Sequence, residues 1–204
     1  MSREPEPGLD ALLAEQQRYY RARAPTYANE ALVPLSGVQA TELQRDVGAA
    51  LDEHFRGDVL ELACGPGTWT GVLAQHARTV TAIDGAPEML EVAAASAPGA
   101  NVHFEQADLF NWRPARRYDA VFFGFFLSHV PDERFASFWA AVGDALAPGG
   151  HVLFVDDAYR AADELIYGPE SPVIMRHREG ADGYRIVKMP PTSAGLAARL
   201  GSAL

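Results

Sequence analysis

Residues Asp58 to Ala77 read DVLELACGPGTWTGVLAQHA. The mainly apolar run from Val59 to Leu62 predicts a short buried parallel strand, and the glycine-rich turn Gly65-Pro66-Gly67 leads from it into a helix that begins near Trp69. Because glycine lacks a Cβ atom, a ligand can approach the main chain of this turn closely, and the helix offers unpaired N–H groups beside it. A strand, a tight turn and a helix in this order predict a nucleotide-binding element.

The acid Glu61 lies at the end of this strand, just before the glycines. A carboxylate at that position would repel a pyrophosphate, whereas it would hold a cation or a ligand with hydroxyl and amino groups. The glycine turn alone is weak evidence for any ligand, and Glu61 is the residue that narrows the ligand class.

Length, charge and cysteine content exclude several other classes of protein. The 204 residues fit one domain, and 17 basic against 27 acidic residues give a net charge of -10. No overall attraction to nucleic acid or to an anionic membrane is therefore expected. The single cysteine, Cys64, excludes an internal disulfide and a CxxC metal site. No signal peptide or long apolar run is visible, so we expect a cytoplasmic protein.

Four more strands are predicted after the first, each separated from the next by a helix or a turn. They span Thr79 to Ile83, Val102 to Glu105, Tyr118 to Phe123 and His151 to Val155. This alternation predicts an α/β fold with a three-layer, doubly wound, mostly parallel sheet. The residues that follow the strand ends, Asp84, Asp108, Gly124 and Asp156, should meet at one edge, where such sheets bind ligands.

Two of these acids have a specific interpretation. Asp84 closes the second strand of a strand–helix–strand unit, where a carboxylate can accept both hydroxyl groups of a ribose. Asp108 could accept an amino group of a purine between Leu109 and Phe110. The alternatives are a solvated turn residue at Asp84 and a cap of the following turn at Asp108.

The chain is predicted to be a single domain after a disordered tail of residues 1–8. Tyr19, Tyr20 and Tyr27 lie in a helical N-terminal segment, which either docks on the core through its aromatic face or serves as a lid over the site. Within 9–204 we expect a helical lid at 9–56, a cofactor-binding core at 57–157, an insertion at 158–183, and an edge strand with a final helix at 184–204.

With ELACGPG, AIDGAPEML, QADLF, YDAVFFGFFLSHV and LAPGGHVLFVDD in this order, the chain resembles the class I S-adenosylmethionine-dependent methyltransferases that act on small molecules. The resemblance covers roughly half of the chain, from Asp58 to Asp156. It implies a Rossmann-like methyltransferase fold, S-adenosylmethionine as cofactor, and methyl transfer to an O, N or C atom of a small aromatic or apolar metabolite. This cofactor carries an ammonium and a sulfonium but no phosphate, which suits the acidic residues around the turn.

The same resemblance implies which residues bind the cofactor. Those around the glycine turn, expected against the methionine moiety, are Glu61, Ala63, Cys64, Gly65 and Gly67. Asp84 is implied at the ribose, with Gly85 and Met89 beside the adenine and Asp108 and Leu109 at its edge and face. Gly124 and Phe125 are implied at the methyl-transfer region, and Tyr19 and Tyr27 at the N-terminal side of the pocket.

Alignment of the acceptor and exclusion of water are the main catalytic tasks expected of this site. His129 is the candidate general base, because it titrates near neutrality and follows a strand end. Its alternative role is to cap the helix that begins at Pro131. Asp156 and Asp157 leave open a magnesium-assisted reaction, although we predict no resident metal because Gly124 stands where that chemistry would want an acid.

The chain departs from the family where the sheet should be completed. No sixth and seventh strands follow in the usual pattern, so we expect the last edge strand to be missing and the edge to be covered by the lid or by a second copy in a homodimer. Two other functions remain open at this stage. One is an NAD(P)-dependent Rossmann oxidoreductase, and the other is a non-catalytic S-adenosylmethionine-binding protein.

Overall fold

The computed structural model describes residues 6–30, 37–97, 99–157, 160–178, 183–189 and 193–201. Residues 1–5 of the expected disordered tail lie outside the described residues. Within the rest of that tail, the Glu6 carboxylate accepts a hydrogen bond of 2.6 Å from the Ser171 hydroxyl.

A five-stranded parallel sheet forms the centre of the molecule. Its strands, in chain order, are β1 (Asp58–Leu62), β2 (Thr79–Asp84), β3 (Val102–Gln106), β4 (Tyr118–Gly124) and β5 (Leu146–Val155). They lie in the order β3-β2-β1-β4-β5. The chain thus winds outward from β1 in both directions, which confirms the predicted doubly wound fold and places the switch point between β1 and β4.

Helices cover both faces of this sheet. The helices of the described residues are α1 (Leu9–Glu30), α2 (Gly37–His54), α3 (Thr70–His76), α4 (Pro87–Ser96), α5 (Asp132–Ala145) and α6 (Ser193–Gly201), of which α2 and α3 pack on one face and α5 on the other. Successive strand residues point to opposite faces, so Val121 and Phe123 pack with α5 while Phe122 packs with Leu51 of α2 and Leu73 of α3. Two buried cores, one on each face, give the three layers that the alternating pattern predicts.

The strand β5 begins earlier than the sequence predicts. The segment Pro148-Gly149-Gly150, expected to be a turn before a strand at His151, lies inside β5. Pairing with β4 shifts register between Tyr118 and Ala120 at this point, and Gly149 has a φ of 77°. A bulge admits a glycine in that conformation without ending the strand, which explains why a turn-like sequence is paired.

A separate two-stranded ribbon replaces the edge strand that was expected after residue 184. It consists of β6 (Val173–Arg176) and β7 (Tyr184–Val187), paired antiparallel with each other and not with the main sheet. Ile174 and Ile186 are buried in one cluster with Tyr19 of α1. The N-terminal helix therefore covers the apolar face of the ribbon. The expectation that the segment after residue 184 forms an edge strand of the central sheet is wrong, because β7 pairs with β6 instead.

Two side chains of α1 also satisfy the backbone of β7. Glu15 accepts a hydrogen bond from the Arg185 N–H (2.7 Å) and a two-pronged contact from its guanidinium (2.8 and 2.9 Å). Gln16 accepts one from the Val187 N–H at 2.9 Å. Because these N–H groups would otherwise be left at an open strand edge, α1 acts as the missing neighbour of β7.

We expect Glu15→Gln to lower the free energy of unfolding by about 1–2 kcal/mol, because the amide keeps one acceptor but loses the charge that binds the Arg185 guanidinium. Urea unfolding followed by circular dichroism measures the loss. Glu88→Gln is the matched control, since Glu88 also receives a two-pronged contact, from Arg21, but at an exposed site. An exposed pair should contribute less than about 1 kcal/mol, and equal losses at the two sites would contradict the special role of Glu15.

Candidate active site

A cavity of about 330 Å³ lies at the carboxyl edge of the central sheet. The ends of β1, β2, β3 and β4 form its floor, and α1 covers it. Gln17 of α1 donates to the Gly85 carbonyl at 3.3 Å, and Asp10 lies 3.5 Å from Arg134 of α5. The helix therefore crosses the cavity from α5 toward α4, which is the position expected of a lid.

Positive φ angles shape the floor after β1. Ala63, Gly65 and Gly67 have φ values of 53°, 54° and 84°. A Cβ atom added to Gly67 would lie 3.0 Å from the Cα atom of Ala93 in α4, whereas one added to Gly65 would meet nothing within 4 Å. Gly67 is thus required for packing, and Gly65 leaves open space at the cavity.

Asp84 is held in a fixed orientation at the end of β2. Its two carboxylate oxygens accept hydrogen bonds from the N–H groups of Gly65 (2.9 Å) and Ala86 (2.8 Å). Burial raises the pKa of this carboxyl above its ordinary value, although the backbone hydrogen bonds work in the opposite direction. The result is an oriented acceptor on the cavity wall, suited to a pair of hydroxyl groups.

Glu61 lies behind the glycine turn and not on the cavity wall. It is 1% exposed, and its carboxyl accepts a hydrogen bond of 2.6 Å from the Thr70 hydroxyl. Burial raises its pKa to about 8, and the nearby charge of Asp84 adds to the effect. Its expected action on the ammonium of a cofactor would therefore have to pass through the turn or through water.

His129 lines the cavity with both ring nitrogens already engaged. Its Nδ1 lies 2.5 Å from the Val187 carbonyl, and its Nε2 lies 2.9 Å from the Tyr20 hydroxyl. A carbonyl can only accept, so the proton must be on Nδ1, and Nε2 accepts the hydroxyl proton of Tyr20. Burial, with the positive charges of Lys188 and Arg176, lowers the pKa of His129 to about 3.

This lowered pKa has a consequence for stability at acid pH. Between about pH 3 and pH 6.5 the unfolded chain binds a proton at residue 129 that the folded protein does not, so stability falls as the pH falls. We expect the excess stability of the wild type over His129→Gln to shrink by about 2 kcal/mol from pH 7 to pH 5. Urea unfolding at each pH measures this difference.

The wild type must be compared with the variant at each pH, because Glu61 changes the free energy of unfolding with pH in the opposite direction. Its folded pKa of about 8 lies above its ordinary 4.5, so its contribution to stability is lost as the pH rises through that window. Taking the difference between wild type and variant cancels this effect. His103→Gln, at an exposed position of β3, is the matched control. A pH-independent difference for His129→Gln would contradict the assignment.

Asp108 joins the cavity wall while also organising its own turn. Its oxygens accept hydrogen bonds from the Phe110 N–H (3.0 Å) and from the Asn111 side-chain amide (2.6 Å). The capping role and the cavity position that the sequence left as alternatives are therefore compatible. Phe125, after β4, has a φ of 56° and donates its N–H to the Val155 carbonyl, so the wall at this point is held in a conformation that non-glycine residues rarely adopt.

Asp156 and Asp157 are engaged with a buried ammonium. Lys188 Nζ lies 2.9 Å from an Asp157 oxygen and 3.7 Å from an Asp156 oxygen, and it donates to the Ser128 hydroxyl at 2.9 Å. Asp156 also accepts the Ser128 N–H and hydroxyl protons. A cation of the chain itself already occupies this donor set, which does not favour the magnesium-assisted alternative. Within the described part of the chain, no cluster of three or more His, Cys, Asp or Glu side chains could hold a metal.

Most of the residues expected from sequence meet at this cavity. Those on its wall are His129, Tyr27, Ala63, Gly65, Asp84, Gly85, Met89, Asp108, Leu109, Gly124 and Phe125. Those outside it are Tyr19, Glu61, Cys64 and Gly67. Tyr19 packs on the ribbon through Ile174 and Ile186, and the Cys64 thiol is buried beside the turn.

Several wall residues were not expected to bind a ligand. On α1 they include Asp10, Leu13 and Gln17, and α5 adds Arg134. The α1 residues recur at three- or four-residue spacing, which is the signal for a helical face. Arg134 had no such signal, since only the fold brings the first turn of α5 to the cavity.

None of the helices in the described ranges has the length and apolar character needed to cross a membrane.

Comparisons with known proteins give one consistent result. A family model described as a methyltransferase domain matches residues 59–150. The structure of a DhpI–SAH complex is 39% identical, covers 96% of this chain and 89% of that chain, and has a TM-score of 0.82. A DhpI–SAM–HEP complex is 38% identical over 96% and 90% of the two chains, with a TM-score of 0.77.

A curated relative matches a shorter part of the chain. The trans-aconitate 2-methyltransferase of Escherichia coli is 37% identical over 76 residues, which are 36% of this chain and 29% of that protein. The match thus spans less than a third of the relative's length. A methyltransferase from Burkholderia thailandensis, which acts on 1,6-didemethyltoxoflavin, shares the fold with a TM-score of 0.64 at 18% identity over 99% of this chain and 81% of that chain.

Proposed function

The chain belongs to the class I S-adenosylmethionine-dependent methyltransferases, and we propose that it transfers the methyl group of that cofactor to an oxygen, nitrogen or carbon atom of a small metabolite with an aromatic or apolar body. The observation that carries the proposal is the oriented Asp84 carboxylate beside the left-handed Gly65, at the carboxyl edge of the sheet. An acid held there suits the two free hydroxyl groups of a ribose, as in a nucleoside cofactor.

We assign the wall residues to the parts of this cofactor as the sequence resemblance implies. Ala63 and Gly65 would contact the methionine moiety, Asp84 the ribose, and Met89 and Leu109 the faces of the adenine. Asp108 would accept the adenine amino group, although its two oxygens already accept hydrogen bonds from Phe110 and Asn111 and would have to share them.

S-adenosylmethionine supplies an electrophilic methyl group on a good leaving group, so the chain mainly has to align an acceptor and exclude water. The helix α1 covers the cavity, and Tyr20, Phe125 and Phe126 line it with aromatic surface. Such surface suits an acceptor with a flat or apolar body. The Escherichia coli relative is named for a small acceptor, trans-aconitate, which supports a small-molecule substrate here as well.

Other parts of the proposal concern partners and location. We expect no nucleic-acid or membrane partner from the net charge of -10, and a cytoplasmic location from the single cysteine. A homodimer is proposed because β5 lies at an edge of the central sheet among the described strands. Light scattering during gel filtration tests the dimer.

The decisive experiment incubates the full chain with S-adenosylmethionine and a panel of small acceptors and measures S-adenosylhomocysteine by mass spectrometry. Calorimetry with S-adenosylhomocysteine and with NADH accompanies it. Turnover with any acceptor supports the proposal. Binding of NADH without binding of S-adenosylhomocysteine would favour an oxidoreductase, and cofactor binding without any turnover would favour a non-catalytic binding protein.

A further inference from the structure

The candidate general bases at the strand ends and at His129 are all engaged by the protein. His129 has Nδ1 on the Val187 carbonyl and Nε2 on the Tyr20 hydroxyl. Each oxygen of Asp84 and of Asp108 already accepts a hydrogen bond from the protein. Because these groups are engaged, an acceptor that must lose a proton before or during attack would find no ready partner among them.

The same wall holds a cation whose hydrogen-bonding capacity is largely unused. Arg134 Nε is buried and has no hydrogen-bond partner among the described residues. The only ion pair recorded for Arg134 there joins its terminal nitrogen to Asp10 at 3.5 Å, and the Asp10 side chain is 94% exposed. A guanidinium has five N–H donors in a planar fork that matches a carboxylate or a phosphoryl group, so this contact uses little of it.

Resting on the proposed methyltransferase function, we infer that the acceptor is a small organic acid, held by Arg134 in place of Asp10, whose ionised oxygen receives the methyl group. A carboxylate and a phosphonate share the chemistry required, namely a preformed oxyanion that binds a guanidinium. Such an acceptor needs no general base, which accounts for the engaged state of His129. Binding of such an acid also requires a cation, and Arg134 supplies it on the described wall.

The charges of the cavity direct this acid toward Arg134. Asp84 and Asp108 repel an anion from the ends of β2 and β3, whereas Arg134 attracts it to the first turn of α5. Phe126 and Leu13 supply apolar surface for the rest of the molecule. The preferred acceptor therefore combines an acidic group with an apolar or flat body.

The transfer balances without loss of a proton. A lone pair of the acid oxygen forms a bond to the methyl carbon, the bond from that carbon to sulfur breaks, and its electron pair stays on sulfur. The sulfonium becomes a neutral thioether, and a carboxylate becomes a neutral methyl ester. In a phosphonate dianion, the same step leaves one remaining negative charge.

The first test compares acids with matched neutral molecules, using the full chain and S-adenosylmethionine. Cinnamate and phenylphosphonate are the acids, and cinnamyl alcohol and cinnamamide are the neutral counterparts. We expect S-adenosylhomocysteine to form with an acid at least about tenfold faster than with its counterparts. Mild alkali would release methanol from a carboxylate ester and not from a phosphonate monoester, which separates the two acid types.

The second test uses Arg134→Gln, Arg134→Lys and Asp10→Asn. With the best acid, Arg134→Gln should raise KM about 30-fold or more, with partial recovery in Arg134→Lys, while the Kd of S-adenosylhomocysteine stays within about twofold. Asp10→Asn should lower KM, because it removes the competing carboxylate. If Arg134 only ties α5 to α1, the Arg134 and Asp10 variants should change KM in the same direction.

These outcomes separate the inference from the function on which it rests. Turnover of the alcohol or the amide in preference to the acids would overturn the inference and leave the methyltransferase standing. The inference would also be overturned if the neutral molecules bound more tightly than the acids to the complex of the protein with S-adenosylhomocysteine. Failure of the wild type to bind S-adenosylhomocysteine at all would instead overturn the proposed function.

Discussion

Asp84→Asn is expected to weaken the binding of S-adenosylhomocysteine by about 100-fold or more while the protein remains folded. The carboxylate is oriented by two backbone N–H groups, those of Gly65 and Ala86, and keeps lone pairs for two hydroxyl groups of a ribose. An asparagine puts an NH2 donor against one of those N–H groups and offers a ribose only one neutral acceptor. Loss of two charge-assisted hydrogen bonds costs roughly 3 kcal/mol, which corresponds to a factor of about 100 in Kd.

Calorimetric titration of the variant with S-adenosylhomocysteine measures this loss, and Asp119→Asn is the matched control. Asp119 is exposed and accepts the Asp58 N–H (2.7 Å) at the opposite edge of the same sheet, so its replacement should leave the Kd within about twofold. Thermal unfolding of both variants checks that the fold persists. Equal affinity in Asp84→Asn and the wild type would mean that the acid does not face the ribose.

The part of the site that could be predicted from sequence is the part fixed by the parallel sheet. A residue that follows a buried strand must lie at the carboxyl edge, because all parallel strands end on the same side. That rule placed Asp84, Asp108 and Gly124 on one wall before any contact was known, and all three line the cavity. Their exact hydrogen bonds were not predictable, because they depend on how the turn folds back.

Glu61 and Tyr19 show where the sequence was not sufficient. Glu61 was placed correctly at the end of β1, but the sequence does not show that Thr70 holds it behind the turn. Successive helix residues differ by about 100° in direction, so Tyr19 and Tyr20 cannot both face the cavity, and the choice depends on how α1 docks. Glu15 contributes to that docking through its contacts with a strand 170 positions away in sequence.

The ribbon of β6 and β7 could not be predicted for the same reason. A four-residue strand carries little information about its partner, and the apolar pattern of 184–189 is compatible with either sheet. Glu15 and Gln16 complete the edge of β7 through side chains, and no local sequence signal marks such a contact. Helix α1, the ribbon and the part of the cavity that α1 covers thus depend on the same long-range packing.

Alanine substitutions at Gly65 and Gly67 should separate folding from cofactor binding. Gly67→Ala is expected to lower the free energy of unfolding by about 2–5 kcal/mol, since it combines a left-handed φ of 84° with a Cβ atom 3.0 Å from the backbone of Ala93. Gly65→Ala should cost only about 1–2 kcal/mol, because its φ of 54° is strained but its Cβ atom meets nothing within 4 Å.

The two variants should rank in the opposite order when the loss of cofactor affinity is measured. Gly65 lines the cavity, so its added methyl group takes up room that the methionine moiety would need, and the Kd of S-adenosylhomocysteine should rise roughly tenfold or more. Gly67 lies outside the wall, and the Gly67→Ala protein that remains folded at low temperature should lose less affinity than Gly65→Ala. Urea unfolding and calorimetry on both variants give the four values required. If one variant were worse in both measurements, stability and binding at the turn would depend on the same glycine, and the separate roles inferred from the two Cβ environments would be wrong.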